Sequence, residues 1–184
     1  MKLYIKPKDY ENIITHCMRK LNEIYYEDET KEQQAFGVII GEKNDNDLKI
    51  TKVINLKKNY RFEKETSKKM NSMLEKYAIP GGLEISERAW AIDPSELNVI
   101  LMNLNENEIF LGTYHMHSDL SWKGDYPKEL PTELDRELNI GSNLINLIVY
   151  IGKDEQKIRA FFESDINAEY NFIKTKEEYY ENKI

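Results

Sequence analysis

Three apolar runs constrain the fold of this chain more than any other feature. They occupy residues 35–41, 109–115 and 144–151, and they are rich in Ile, Val, Leu and Phe. Runs of this kind are typical of buried β-strands, and the shorter apolar run 88–92 is predicted to form a strand as well. The pair Asp93-Pro94 that follows it predicts the start of a helix. Outside these runs lie segments of helical period, such as residues 10–25, where apolar residues recur at offsets of three, four and seven. The sequence therefore predicts a mixed α+β fold, in which helices flank a mixed sheet.

Length and composition indicate a single folded domain that spans residues 1–184. Hydrophobic residues make up 40% of the chain, which is enough for a core. Residues 57–86 are charged and rich in lysine, so we expect an insertion or a flap there. The polar and aromatic tail, residues 165–184, is predicted to be helical.

Charge and cysteine content exclude several classes of protein. The formal net charge is −7, and nucleic-acid binding requires a basic face, so no nucleic-acid partner is expected. No apolar run approaches the roughly 18–20 residues of a membrane span, and residues 1–7 lack the apolar core of a signal peptide. The single cysteine, Cys17, allows no intramolecular disulfide and no all-cysteine metal site. These features predict a cytoplasmic protein without a membrane partner.

Two of the three histidines form a His-x-His pair at the end of a predicted strand. Residues i and i+2 of a strand point to the same face, so His115 and His117 can bind one ion together. Asp135, in the first turn of a helix predicted to begin after Thr132, is the expected third ligand. Three protein ligands leave one position open, as in catalytic zinc sites. The alternative is an ordinary packed pair of strand histidines.

The order of these residues resembles a known motif. The run Gly112-Thr113-Tyr114-His115-Met116-His117, followed by Pro131-Thr132-x-x-Asp135, is similar to the JAMM motif of JAB/MPN metalloproteases. Residues 36–41, 92–97 and 144–162 resemble further parts of that family. The resemblance implies a JAB/MPN-like fold, which is cytidine-deaminase-like. It also implies one zinc ion per chain, bound by His115, His117 and Asp135.

The same resemblance assigns roles to residues around the metal. Thr132 occupies the position of the family serine, which stabilises the developing oxyanion. Gln34 occupies the position of the general-base glutamate, and an amide can orient a water but cannot accept its proton at neutral pH. Glu32, two residues earlier, is a candidate displaced base. The spacer after His117 is longer than in the family, which leaves Asp125 or Asp119 as an alternative third ligand.

These features support two functions of different classes. The first is a zinc-dependent peptidase or isopeptidase that acts on an extended protein tail, such as that of a ubiquitin-like or sulfur-carrier protein. The second is a zinc-binding module for binding or assembly, in which Gln34 marks the loss of hydrolysis. A metal-free structural domain would require the His-x-His pair to be coincidental.

Overall fold

A computed structural model describes residues 1–81 and 83–176. Its strands form a single seven-stranded sheet in the order β6-β5-β4-β2-β3-β1-β7. The strands are β1 (Lys2–Ile5), β2 (Phe36–Asn44), β3 (Asp47–Asn55), β4 (Ile109–Ser118), β5 (Ile145–Ile151), β6 (Gln156–Phe162) and β7 (Asn171–Lys174).

Helices occupy both faces of the sheet and begin where the sequence supplies a start signal. They are α1 (Pro7–Leu21), α2 (Lys64–Tyr77), α3 (Pro94–Met102) and α4 (Glu133–Asn139). Pro7 and Pro94 lie in the first turns of α1 and α3. Backbone N–H groups in a first turn have no partner within the helix, so the missing N–H of proline costs no hydrogen bond there. Asp93 caps α3 by accepting a hydrogen bond from the backbone N–H of Ser95. The predicted mixed α+β class is confirmed.

The sheet is mixed in direction. Strand β2 is antiparallel to β3 and β4, whereas β4 runs parallel to β5 and β1 runs parallel to β3 and β7. A parallel pair needs a crossover, and α4 lies in the crossover that joins β4 to β5. The first turn of α4 can therefore meet the carboxyl end of β4.

The pairing of β2 with β4 decides which face carries which residue. Phe36 lies opposite His115 and Gly37 opposite Tyr114. Because side chains alternate along a strand, His115 and His117 share one face while Tyr114 and Met116 share the other. The Tyr114 ring fills the place of a side chain at Gly37, since a Cβ built there would lie 2.1 Å from ring atom Cε1.

The Tyr114 face packs against α1 and forms the main core, with Ile13, Cys17, Ile39, Leu147 and Val149 among its buried residues. The opposite face carries two smaller clusters. Trp90 packs with Phe36 and Val38 in one of them. In the other, Met70 and Leu74 of α2 pack against Leu134 of α4. The His-x-His face therefore lies beneath α2, α4 and the segment that contains Trp90.

The helix predicted over residues 165–184 is wrong for the part that the structure describes. Residues 171–174 form β7, which pairs in parallel with β1, and residues 177–184 lie outside the described chain. Tyr170 and Phe172 both pack against the main core. A spacing of two places both rings on one side of a strand, and the free edge of β1 supplies the hydrogen bonds.

The apolar run 88–92 also differs from its prediction, because it forms no strand. Ala89 has φ +70°, which interrupts an extended ladder. The backbone groups bond to a loop instead: the Ala91 N–H donates to Asn59 Oδ1, and the Ala91 carbonyl accepts from the Tyr60 N–H.

Residues 57–86 contain α2, and Arg61, which is 1% exposed, links separate parts of this segment to one another and to Arg88. The Arg61 guanidinium donates to the carbonyl oxygens of Ser67, Ile85 and Arg88. It also donates to the side chains of Ser67 and Asn71. A flap function for this segment stays a prediction. None of the helices in the described ranges is long and apolar enough to cross a bilayer.

On the α1 side of the sheet, His16 belongs to a buried polar network. Its Nδ1 lies 2.6 Å from the Tyr114 hydroxyl, which donates to Asn55 Oδ1 at 2.6 Å. Nδ1 is therefore the donor to Tyr114. Burial and the nearby Arg19 lower the pKa of His16 to about 4 from its ordinary value of 6.5. The folded protein thus holds a neutral imidazole.

We expect His16 to make the protein sensitive to acid. Between pH 6.5 and 4 the unfolded chain binds a proton at this site that the folded chain does not, so the free energy of unfolding falls as the pH falls. The expected contribution is up to about 3 kcal/mol. Urea unfolding at pH 7 and pH 4.5 measures it. His16→Asn, which keeps a donor near Tyr114 but does not titrate, should lose less stability over this range. Equal losses in both proteins would refute the assignment.

Candidate metal centre

Three potential ligands meet at the carboxyl end of β4. His115 Nε2 lies 3.0 Å from His117 Nε2 and 3.1 Å from Asp135 Oδ1. His117 Nε2 lies 3.5 Å from Asp135 Oδ2. Within the ranges that the structure describes, these residues form the sole group of three or more such side chains placed to hold one metal ion. The structure thus brings together the three predicted ligands.

The opposite nitrogen of each imidazole is fixed by an oxygen. His117 Nδ1 lies 2.8 Å from the carbonyl oxygen of Lys128, and His115 Nδ1 lies 3.2 Å from Asn146 Oδ1. A carbonyl oxygen only accepts, so each Nδ1 carries the proton and donates it. In the neutral rings, each Nε2 then presents a lone pair toward the centre. Partners of this kind orient the histidines of metal sites.

Asp135 is positioned by the start of α4. Its backbone N–H donates to Thr132 Oγ1 at 3.2 Å, and its Oδ2 accepts from the backbone N–H of Thr132 at 2.7 Å. This reciprocal capping box fixes the carboxylate before any ligand binds. The Thr132 hydroxyl also donates to Asp135 Oδ2, at 2.8 Å. In this geometry Thr132 orients a ligand, and its oxyanion role stays a prediction.

The electrostatics of the cluster favour a cation. Burial raises the pKa of Asp135, but the two imidazoles outweigh this effect and hold it well below its ordinary value. Burial lowers the pKa of His115, and the Asp135 carboxylate more than compensates, so the pKa is raised overall. The Asp135 carboxylate is therefore ionised and can act as an anionic ligand of a cation.

The donor set fits zinc. Two imidazole nitrogens and one carboxylate are a usual catalytic zinc set, and tetrahedral ligands at about 2.0–2.1 Å from the ion lie about 3.3 Å apart. The measured separations of 3.0, 3.1 and 3.5 Å bracket that value. Two imidazole lone pairs at 3.0 Å would repel one another without a cation between them. The cluster is thus a possible metal site, and its donor types and spacing suit zinc.

The alternative third ligands lie elsewhere. Asp119 accepts a hydrogen bond from the Tyr150 hydroxyl at 2.9 Å, and Asp125 is exposed in the loop that precedes α4. Neither belongs to the group around the two histidines. The long spacer after His117 therefore forms a loop, and Asp135 remains the third member of the group.

Gln34 lies beside the cluster. The Ala35 carbonyl accepts from the Met116 N–H, which continues the β2–β4 register and sets Gln34 across from His117. The Gln34 amide nitrogen donates to the carbonyl oxygen of Glu87. Its amide oxygen is left as the group that can accept a hydrogen bond from a water or substrate.

Glu32 lies away from the cluster. Its Oε2 accepts from the Asn59 amide at 2.7 Å, and its Oε1 is buried without a partner in the described chain. Burial raises the pKa of Glu32 to about 7, against the opposing effects of Asn59 and Lys20. A carboxyl group with this pKa could act as a base, but Glu32 lines neither cavity beside the metal ligands.

Two cavities adjoin the cluster. The smaller, of about 90 Å³, is lined in part by His117, and the larger, of about 330 Å³, in part by His115. Gln34 and Asp135 line both. The larger cavity has apolar walls that include Met70 and Trp90.

Sequence reasoning missed two contributors to this site. Asn146 and the Lys128 carbonyl, which fix the two imidazoles, lie on β5 and in the long loop. Trp122 is buried edge-on against His117, with the ring centroids 4.8 Å apart. Trp122 carried a weak signal, because it is an aromatic residue in the polar spacer beside the motif. Nothing in the sequence marked Asn146 or Lys128.

Comparison with known proteins gives a fold and no family. No family model matches the chain, and no curated protein matches it. Solved structures do. The solution structure of protein DSY2949 from Desulfitobacterium hafniense has a TM-score of 0.60 and 17% identity, covering 95% of this chain and 94% of that one. The solution structure of a protein from Salinibacter ruber has a TM-score of 0.44 and 16% identity, covering 88% and 81%. The likeness to the Desulfitobacterium hafniense protein shows a shared fold.

We expect the purified protein to bind one zinc ion and Asp135→Ala to lose it, because two imidazoles alone bind weakly. Elemental analysis after identical zinc loading and desalting measures this. Asp125→Ala is the matched control, since its carboxylate is exposed and outside the cluster, and it should keep its zinc. Zinc retained in Asp135→Ala and lost in Asp125→Ala would overturn the ligand assignment.

Asn146→Ala should weaken zinc binding by about 10–100-fold, because His115 loses the acceptor that fixes its Nδ1 proton. Competition with a fluorescent chelator measures the dissociation constant. Asn146 also donates to Ser164, so Ser164→Ala tests whether loss of that buried bond alone has the same effect. The role fails if both variants bind zinc as tightly as the unaltered protein.

Proposed function

We propose that this chain is a zinc-dependent peptidase or isopeptidase of the JAB/MPN type. The observation that carries the proposal is the convergence of His115 Nε2, His117 Nε2 and an Asp135 carboxylate oxygen, with both Nδ1 atoms already bound elsewhere. The His-x-His pair at the end of a strand and an aspartate in a helical capping box support the resemblance drawn from the sequence. The position left open by three ligands is typical of catalytic rather than structural zinc.

Zinc in such a site supplies a Lewis acid and lowers the pKa of a bound water to about 7. In the hydrolysis, the water oxygen forms a bond to the carbonyl carbon, the C–N bond breaks, and a proton passes to the leaving nitrogen. The amide oxygen of Gln34 can orient that water, and Thr132 keeps Asp135 in place. Burial of Trp122 against His117 excludes bulk solvent from one side.

The two cavities suit an extended substrate. One is lined by His117 and the other by His115, and both share Gln34 and Asp135 in their linings, so a peptide could pass across the ligands from one cavity to the other. An extended tail gains affinity from backbone hydrogen bonds and specificity from its side-chain pockets. The proposed substrate class is therefore a protein with an extended tail, such as a ubiquitin-like or sulfur-carrier protein, in the cytoplasm.

One observation favours a second function, a zinc-binding module without hydrolysis. Among the described residues that line the two cavities, Asp135 is the sole carboxylate, and it is committed to the metal. The residue opposite His117 is an amide, which cannot accept a proton at neutral pH. The module would bind an extended tail without cleaving it.

The substitution Gln34→Glu distinguishes the two functions. A carboxylate beside the metal can act as a general base, and such a group typically contributes about 10²–10⁴-fold to the rate. We expect zinc-loaded Gln34→Glu to hydrolyse a peptide library at least tenfold faster than the unaltered protein. Hydrolysis by the unaltered protein that stops on zinc removal supports the enzyme, and hydrolysis by the variant alone supports the module.

Gln34→Ala is the matched control, because it also loses the bond to the Glu87 carbonyl but gains no carboxylate. It should not gain activity. Glu32→Ala should change hydrolysis less than threefold, since the Glu32 carboxylate is bound to Asn59. If Glu32→Ala abolishes zinc-dependent hydrolysis while Gln34→Ala has little effect, the general base is Glu32, and its carboxylate must lie close to the metal and not away from it.

A further inference from the structure

The smaller cavity contains a guanidinium, that of Arg88, which has no partner among the residues that the structure describes. Arg88 lines this cavity together with His117 and Asp135. Within the described chain, its side chain makes no hydrogen bond or ion pair, although its backbone is well bonded: the N–H donates to Ile85 and the carbonyl accepts from Arg61. The other arginine in this part of the chain, Arg61, donates to five oxygen atoms.

Among the described residues, no carboxylate compensates the charge of Arg88. Burial lowers the pKa of the guanidinium, and within the described ranges no acidic side chain acts against this effect. Of the described residues lining the smaller cavity, Arg88 and Asp135 are the sole charged ones. A divalent cation on the ligands would more than neutralise Asp135. The cavity would then carry net positive charge and favour an anionic ligand.

Neighbouring residues hold Arg88 in this place. Gln34 binds the carbonyl of Glu87, the residue before it. Gly81 leaves room for the guanidinium, because a Cβ built at Gly81 would lie 3.3 Å from Arg88 Cζ and 2.6 Å from the Ser121 carbonyl oxygen. The fold therefore fixes the backbone next to Arg88 and leaves space for its guanidinium, and no described residue neutralises it.

We propose that Arg88 binds a carboxylate of the substrate beside the metal, an inference that rests on the proposed peptidase function. The planar fork of a guanidinium matches a carboxylate with two parallel hydrogen bonds. The remaining walls of the cavity are largely apolar and include Leu74, Ile79 and Leu83. This lining suits the side chain of an apolar terminal residue better than that of Glu or Asp.

The substrate class that follows is a polypeptide with a free C-terminal carboxylate on an apolar residue. Arg88 and His117 line the same small cavity, so the carboxylate would lie close to the peptide bond at the metal. Hydrolysis there would release a single C-terminal amino acid from the tail. Arg88 is thus a specificity-determining residue, and the metal ligands do not require it.

The test uses the zinc-loaded protein and three N-acetylated tripeptides. One ends in leucine as the free acid, one ends in leucine as the carboxamide, and one ends in glutamate as the carboxamide. Calorimetry measures their dissociation constants, and chromatography measures leucine release. The free acid should bind at least tenfold more tightly than its carboxamide.

Arg88→Gln should weaken binding of the free acid by about tenfold or more and leave the leucine carboxamide unchanged. Arg88→Lys, which keeps the charge but loses the fork, should retain part of the affinity. Arg159→Gln is the matched control, since Arg159 lies on β6 and its guanidinium pairs with Glu169; this variant should bind all three peptides as the unaltered protein does. Zinc content should be unchanged in every variant.

Each outcome decides a different point. If the free acid and the leucine carboxamide bind equally, or if Arg88→Gln changes the dissociation constant of neither peptide, the proposal is wrong. Any preference for the free acid that remains in Arg88→Gln is then due to the metal alone. If the glutamate carboxamide is the peptide that needs Arg88, the carboxylate site stands and its terminal source is overturned. If the acid binds through Arg88 but no leucine is released, the inference stands and the peptidase function fails.

Discussion

The antiparallel register of β2 against β4 is the constraint on which the site depends. It sets Phe36 opposite His115 and, one pair further, Gly37 opposite Tyr114. A shift of one residue would turn every side chain of one strand to the other face. The Tyr114 ring prevents such a shift, because the space it needs exists where its partner is glycine. The same register places Gln34 next to His117.

The candidate metal centre is stiff, because its three side chains are fixed by hydrogen bonds to other residues. Each imidazole donates through Nδ1 to an oxygen, and Asp135 is held in a capping box. The ordering of these side chains is thus achieved during folding and not during metal binding. A site of this kind binds its ion with little further loss of conformational freedom.

Local patterns were sufficient for most of the fold and for the ligands. The apolar runs predicted β2, β4 and β5, and the pair Asp93-Pro94 predicted the start of α3. The spacing of His115 and His117 predicted their shared face. The tail and the run 88–92 were predicted wrongly, because the outcome depended on the free edge of β1 and on the Asn59 side chain.

The remaining site residues could not be read from the sequence, since their roles arise from long-range contacts. Asn146 reaches His115 across 31 residues of chain, and the Lys128 carbonyl binds His117 through its backbone, whatever side chain it carries. Arg88 is informative because its guanidinium has no partner in the part of the chain that the structure describes, and no sequence pattern marks such a feature. Predicting these features requires the register and the loop together.

The contacts of Arg61 have a consequence for how such a protein can change. Most of its partners are main-chain carbonyls, including those of Ile85 and Arg88. A carbonyl is the same for every residue type, so the side chain at position 88 can be exchanged while the bond that holds its backbone persists. A single substitution at position 88 can therefore change which ligands the cavity wall prefers. The backbone of that wall stays bound to Arg61.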